Sequence, residues 1–200
     1  EQAFSRHNSI EDTTIGWRFI NPLMRQMYGV DSMPETAENV ADDFNISRED
    51  QDRFALASQE KYAAAHQNGF FKHELVAIQV PQRRADPIVF DTDEHPRQTS
   101  LEALAKLKAI VRPDGTVTAG NASGVNDGAA VALLANQSMV ERFALTPKAR
   151  VVAMATAGVA PRIMGIGPVP ASRKALELAG LSLEQMDVIE LNEAFAAQGL

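Results

Sequence analysis

Residues 118–127 (TAGNASGVND) and 190–198 (ELNEAFAAQ) hold the side chains of this chain best suited to chemistry. In the first string, Gly120 and Gly124 flank Asn121, Ala122 and Ser123. Glycine permits close backbone approach, so an amide or carbonyl here can lie against a narrow, extended ligand arm. Asn126 or Asp127 can cap a following helix. The same residues serve equally well as a structural turn and cap. In the second string, Asn192 stands at the carboxyl end of an expected strand, where layered α/β folds gather ligands. Its amide can donate to a carbonyl oxygen, or orient a water that does, as negative charge grows there. Capping a helix is its alternative role. Glu193 suits the first turn through the helix dipole, and Phe195 suits packing. The stiff loop 165–170 (GIGPVP) either shapes the mouth of a pocket or simply connects two elements.

The elements that must position these residues follow from capping and periodicity. Ser32, Pro34 and Glu35 open a helix expected to run to about Asp43. Ser47 opens a longer one with Phe54, Ala57, Ala64 and Ala65 on one side, ending at Gly69. Leu56 departs from that stripe, so contacts on two sides are expected. A strand is expected over Leu75–Val80, stopped by Pro81, then a polar excursion over Arg83–Pro96. Thr99 or Ser100 caps a helix carrying Leu101, Leu104 and Leu107. Pro113-Asp-Gly115 makes a turn, and Thr116–Ala119 a brief strand. The apolar run Asp127–Ala135 is expected to be a helix buried on several faces. Past a boundary near Thr146-Pro147 come strand Arg150–Ala157, helix Ala171–Ala179 and a Ser182/Gln185 cap pair. Strand Val188–Leu191 and a helix from Glu193 complete the series. This β–α–β–α order implies an α/β fold with helices layered on a sheet.

Composition narrows the function classes. The 200 residues suffice for one sizeable domain or two small ones. At 45% hydrophobic and 22% charged, the material is ordinary globular protein. A formal net charge of -7 argues against broad nucleic-acid binding, so an anionic substrate needs a local cluster of cations. The absence of cysteine excludes disulfides and thiolate metal sites within this window and fits a reducing compartment. His7, His66, His73 and His95 lack zinc-ligand spacing, so no metal is expected. No apolar run reaches membrane-spanning length.

The strings at 32–41 (SMPETAENVA), 116–130, 164–171 and 192–198 together resemble the thiolase family, and the resemblance extends over essentially the whole chain. Within the family, residues 12–19, 31–34 and 187–191 look closest to bacterial members acting on 3-oxoadipyl-CoA. The resemblance implies a layered αβαβα thiolase-like fold, incomplete here, with a helical loop-domain insertion. Residues 1–112 would hold the loop domain and its framing elements. Residues 113–146 would end the N-terminal half, and 147–200 would start the C-terminal half.

The implied reaction is cleavage of 3-oxoadipyl-CoA by CoA to succinyl-CoA and acetyl-CoA, in the cytoplasm, during degradation of aromatic compounds. Coenzyme A acts as substrate, no cofactor is held permanently, and a homodimer or homotetramer is expected. The family's nucleophilic cysteine maps before position 1, and its histidine and second cysteine map beyond Leu200. These 200 residues alone are therefore expected to be inactive. Asn192 matches the asparagine that holds a water in an oxyanion hole. Ser123 and Ala119 match positions beside the pantetheine arm, Arg97 an arginine near the CoA nucleotide, and Met33 a pocket-lining methionine. Ser32 replaces a histidine of the acetoacetyl-CoA thiolases, which favours a different acyl group. For a dicarboxylic one, Arg18 or Arg25 is a candidate cation, though surface ion pairing is their alternative role. A general acetyl-CoA acetyltransferase or 3-ketoacyl-CoA thiolase, and a non-catalytic acyl carrier on the same frame, are the alternative functions.

Overall fold

The computed structural model describes residues 10 and 16–200; His7 and the Asp12–Ile15 portion of the tryptophan-bearing stretch lie outside the described residues. The helices are α1 (Pro22–Tyr28), α2 (Met33–Phe44), α3 (Arg48–Gln67), α4 (Leu101–Ala105), α5 (Gln137–Arg142), α6 (Pro168–Ala179) and α7 (Ala196–Gly199). Two short strands, β1 (Ile78–Val80) and β2 (Ile88–Phe90), pair antiparallel with Gln79 opposite Val89. Two compact units divide the chain: Glu1–Thr36 with Val125–Leu191, and Ala37–Gly124 with Asn192–Leu200. None of the described helices is long and apolar enough to cross a membrane.

Local capping chemistry sets the helix starts in the first unit. Asn21 accepts from the Leu23 N–H at 2.9 Å, and Pro22 opens α1 without losing a needed donor. Ser32 and Glu35 form the expected reciprocal box, the Ser32 N–H donating to Glu35 Oε2 at 2.7 Å. Ser182 and Gln185 repeat it over a single 3₁₀ turn. Gly180 ends α6 in the left-handed region at φ 67°.

Several expectations fail here, for one shared reason. Asp127–Ala135 is not helical, and Val131, Leu133 and Leu134 are all exposed. Arg150–Ala157 and Val188–Leu191 form no strands, and Val151, Val152, Met154, Val188 and Ile189 stand exposed. A strand needs a neighbouring ladder for its N–H and C=O groups, and an apolar helix needs a surface to cover it. Among the described residues neither partner is present for these segments. Helix α5, opened by Asn136 accepting from the Met139 N–H at 3.0 Å, was not anticipated.

The second unit is built on α3. Ser47 caps it by accepting from the Asp50 N–H at 3.1 Å, and its last turn closes at Asn68 and Gly69. The Ser47 hydroxyl and the Arg53 guanidinium hold the Asp50 carboxyl below its usual range. Helices α4 and α7 and the 3₁₀ turn Phe70–His73 all pack on α3, so it does touch partners on more than one side. Arg48 stretches from its first turn to the Leu104 carbonyl at 2.7 Å and the Leu107 carbonyl at 3.1 Å. The guanidinium thus ties the start of α3 to the end of α4 and the residues just past it. Helix α4 stops at Ala105, so Leu107 lies beyond it.

Near the far end of α3, Tyr62 stacks on Phe71 at 5.2 Å and its hydroxyl donates to Asp93 Oδ2 at 3.3 Å. Burial, followed by the Asp93 charge, pushes the Tyr62 phenol above its ordinary range. Strand β1 covers the end of the expected Leu75–Val80 strand, and the excursion over Arg83–Pro96 contains β2.

The core of this unit is small, and much of it is polar. Ala37, Val40, Ala41, Leu104, Val117, Ala196 and Ala197 are buried alongside Glu38, Gln51, Asp52, Thr118 and Asn121. The Glu38 carboxylate accepts from the Thr116 N–H through both oxygens at 2.9 Å, from the Thr116 hydroxyl at 2.9 Å, and from the Val117 N–H at 2.9 Å. Gln51 Nε2 donates to Thr116 Oγ1 at 2.9 Å and leaves its own Oε1 without a partner. Thr116–Ala119 is therefore held by side chains, with one bridge, Ala109 to Thr118, standing in for the expected strand.

This packing predicts the effects of four substitutions. Glu38→Ala strands the half-buried Thr116 and the buried Val117 amides and should cost about 2–4 kcal/mol, read from chemical denaturation. Asp42→Ala removes only an exposed pair with Arg112 and should cost below about 1 kcal/mol. A Cβ at Gly120 would approach Leu104 Cδ2 to 2.5 Å and Leu107 Cδ1 to 2.6 Å, whereas one at Gly128 meets nothing within 4 Å. Gly120→Ala is expected to lower stability by about 1–3 kcal/mol. Gly128→Ala should leave the same denaturation midpoint almost unmoved.

Candidate functional site

Asn121 is the hinge of the glycine-flanked loop. Its side-chain oxygen accepts from the Thr118 N–H at 2.8 Å, closing a tight local turn. Its Nδ2 donates to Asp52 Oδ1 at 3.1 Å and to the Thr116 carbonyl at 3.0 Å. Asp52 is itself paired with Arg48 Nε at 2.8 Å, so one buried carboxylate ties the start of α3 to the loop. With all its hydrogen-bonding groups engaged inside the protein, Asn121 is a structural residue.

The loop then docks on the last segment of the unit. The Ser123 N–H donates to the Ala194 carbonyl at 2.9 Å, and the Ala196 N–H donates to the Asn121 carbonyl at 2.9 Å. Between them, Ala122 and Phe195 make an antiparallel bridge. The ring of Phe54 on α3 lies where a Cβ at Gly199 would sit, with Cζ only 2.8 Å from it, so α7 packs tightly on α3. Ser58 Oγ donates to Glu193 Oε2 at 2.5 Å.

Together these contacts frame a cleft of about 170 Å³, whose walls include Phe54, Ser58, Gln59, His95, Ser123 and Glu193. That volume is below the ~300–1,000 Å³ of a typical small-molecule pocket. It suits an extended chain better than a bulky nucleotide. The lining offers a hydroxyl and a main-chain edge at Ser123, an amide at Gln59, a carboxylate at Glu193 and an apolar floor at Phe54 and Ala196.

The site residues expected from the sequence are distributed unevenly. Ser123 lines the cleft, and Asn192 is exposed one residue before the lining residue Glu193. Ala119 is exposed, and its neighbour Gly120 lines the cleft instead. Arg97 sits at the edge through its main chain, the N–H donating to Gln59 Oε1 at 2.9 Å. Its guanidinium turns back on its own loop, donating to the carbonyls of Glu94, His95 and Pro96. Met33, Arg18 and Arg25 are exposed in the other unit.

Sequence reasoning missed Glu38, Gln51 and Asp52 as supports, and Ser58, Gln59 and His95 as walls. No local signal marks Glu38: it lies in the mixed stretch 35–43 (ETAENVADD), where a solvent-facing carboxylate is the ordinary reading.

Comparison with known proteins places this arrangement. Residues 4–138 match the thiolase N-terminal domain and residues 145–200 the thiolase C-terminal domain. The chain is 59% identical to a beta-ketoadipyl-CoA thiolase of Acinetobacter baylyi, an alignment covering 100% of this chain and 50% of that protein. It is also 59% identical to the 3-oxoadipyl-CoA/3-oxo-5,6-dehydrosuberyl-CoA thiolase of Escherichia coli, covering 99% of this chain and 50% of that one. The chain thus spans about half the length of these relatives. Its backbone matches the crystal structure of the Bacillus anthracis acetyl-CoA acetyltransferase with a TM-score of 0.82 at 44% identity, covering 99% of this chain and 48% of that one. The unpaired segments therefore follow the path of a layered α/β fold while lacking, among the described residues, the strands that would ladder with them. By sequence and by backbone, this chain belongs to the thiolase family.

Proposed function

We propose that the complete polypeptide is a CoA-dependent acyltransferase that cleaves 3-oxoadipyl-CoA with CoA, yielding succinyl-CoA and acetyl-CoA. The observation that carries this reading is the docking of Asn121–Ser123 onto Ala194–Ala196, which brings Ser123 and Glu193 to one narrow cleft. A thioester arm is a long, thin, mostly neutral chain, and a cleft of these dimensions and lining suits it. The names of the relatives that share 59% of their aligned residues support the acyl group.

In this reading a thiolate attacks the 3-keto carbonyl and the C2–C3 bond breaks. Acetyl-CoA leaves once its carbanion is protonated. The succinyl group, held as a thioester on the enzyme, then passes to the sulfur of an incoming CoA. The chain contains no cysteine, so the thiolate comes from outside these 200 residues. Asn192, as a donor or through a water, lowers the cost of charge on the thioester oxygen. Ser123 and the main chain near Ala119 run along the pantetheine arm, Arg97 lies toward the nucleotide, and Met33 is a pocket-lining residue. Residues 1–112 form the loop domain with its framing elements, 113–146 end one half, and 147–200 begin the other. CoA is a substrate with no resident cofactor, and the working form is a cytoplasmic homodimer or homotetramer.

Thiolysis rates of the complete polypeptide test the reading. A kcat/KM for 3-oxoadipyl-CoA well above that for acetoacetyl-CoA is expected, and a preference for the shorter substrate rejects the assigned acyl group. Asn192→Ala should lower kcat by about 100-fold or more with the fold intact. Retention of full turnover would remove Asn192 from the reaction.

A further inference from the structure

The hydrogen bond between Ser58 and Glu193 joins residues far apart in sequence, at 2.5 Å, on the wall of the cleft. Ser58 projects from the middle of α3, a helix of 20 residues that α4, α7 and the Phe70–His73 turn all pack against. Glu193 begins the segment that the glycine-flanked loop grips through Ala194, Phe195 and Ala196. The two sets of contacts act on different parts of that segment. The loop fixes its main chain, while Ser58 fixes its first side chain. A hydroxyl donating to a carboxylate is a charge-assisted bond and is stronger than a neutral one.

Asn192 directly precedes Glu193, and consecutive Cα atoms are only about 3.8 Å apart. Its position is therefore set by whatever fixes Glu193 and Ala194. The loop contacts begin at the Ala194 carbonyl, so without Ser58 the first of these ties lies two residues past Asn192. With Ser58 in place the tie moves to the adjacent residue. A donor that must meet developing charge within a few tenths of an ångström benefits from such support.

We propose that Ser58 and Glu193 form a clamp that positions Asn192 for acyl transfer. Both are positioning residues, acting through Asn192, and the proposal rests on the acyl-transfer reading above. It also assigns α3 a direct part in the site, in addition to its role as scaffold.

The test uses the complete polypeptide. Ser58→Ala and Glu193→Ala are each expected to lower kcat about tenfold; because both also line the cleft, KM rises as well, and the kcat loss is the diagnostic readout. The double variant should be little worse than either single one, because one interaction is removed in all three. Ser58→Thr keeps the hydroxyl and should recover most of the loss. Backbone NMR relaxation at Asn192 and Glu193 provides a second readout that needs no turnover. Lower order parameters at both in Ser58→Ala support the clamp, and unchanged values overturn it. A kcat within twofold of the parent in Ser58→Ala also overturns it. If the parent shows no thiolysis at all, the acyl-transfer reading fails, and the relaxation measurement alone decides whether the clamp exists.

Discussion

A buried carboxylate with no ion pair among the described residues needs hydrogen bonds, and Glu38 obtains them from Thr116 and Val117. That requirement organises the second unit. The carboxylate can be buried only if the backbone at 116–117 turns its amides toward α2. Once it does, Thr118 and Asn121 are placed where Asn121 can close the next turn and reach Asp52. Two acidic side chains, one from α2 and one from α3, thus hold the same loop from two directions. Glu38 is satisfied by the loop's own donors and Asp52 by Asn121 together with Arg48, so loop shape and carboxylate burial stabilise each other.

The cleft inherits its geometry from this arrangement. Asn121 has its side chain committed inward and offers its main-chain carbonyl to Ala196, while Ser123 offers its N–H to Ala194. The loop can therefore grip a distant segment with backbone alone and leave the Ser123 and Glu193 side chains on the cleft wall. Backbone gripping tolerates little variation in shape. Gly120 must lack a Cβ because Leu104 and Leu107 occupy the space one would need. The turn that holds the loop is thus the same turn that sets the Ser123 edge on the cleft wall.

What was legible in the sequence is the chemistry that acts over a few residues. Ser32, Ser47, Ser100 and Ser182 cap where expected, because a side chain reaching its own nearby amides needs no distant partner. Of the site residues expected from the two strings, Ser123 lines the cleft, while Asn192 stands one residue before the lining residue Glu193 and Ala119 one residue before Gly120. Asp127–Ala135, Arg150–Ala157 and Val188–Leu191 were misread as finished elements. Their apolar character is real, but helix and strand there depend on partners that local pattern does not supply. The Arg97 guanidinium, folded onto three carbonyls of its own loop, and the Glu38 latch were invisible for the same reason. Each depends on a chain path that brings particular carbonyls or amides to a charged group.

The central claim is that the Ser123 loop and the Asn192–Ala196 segment bound one cleft that receives a thioester arm. A crystal structure of the complete polypeptide with CoA bound tests it most directly. The account predicts the pantetheine chain lying between Ser123 and Glu193, with the Ser123–Ala194 and Asn121–Ala196 hydrogen bonds retained. A CoA seated elsewhere, or a cleft closed by core side chains, would contradict it.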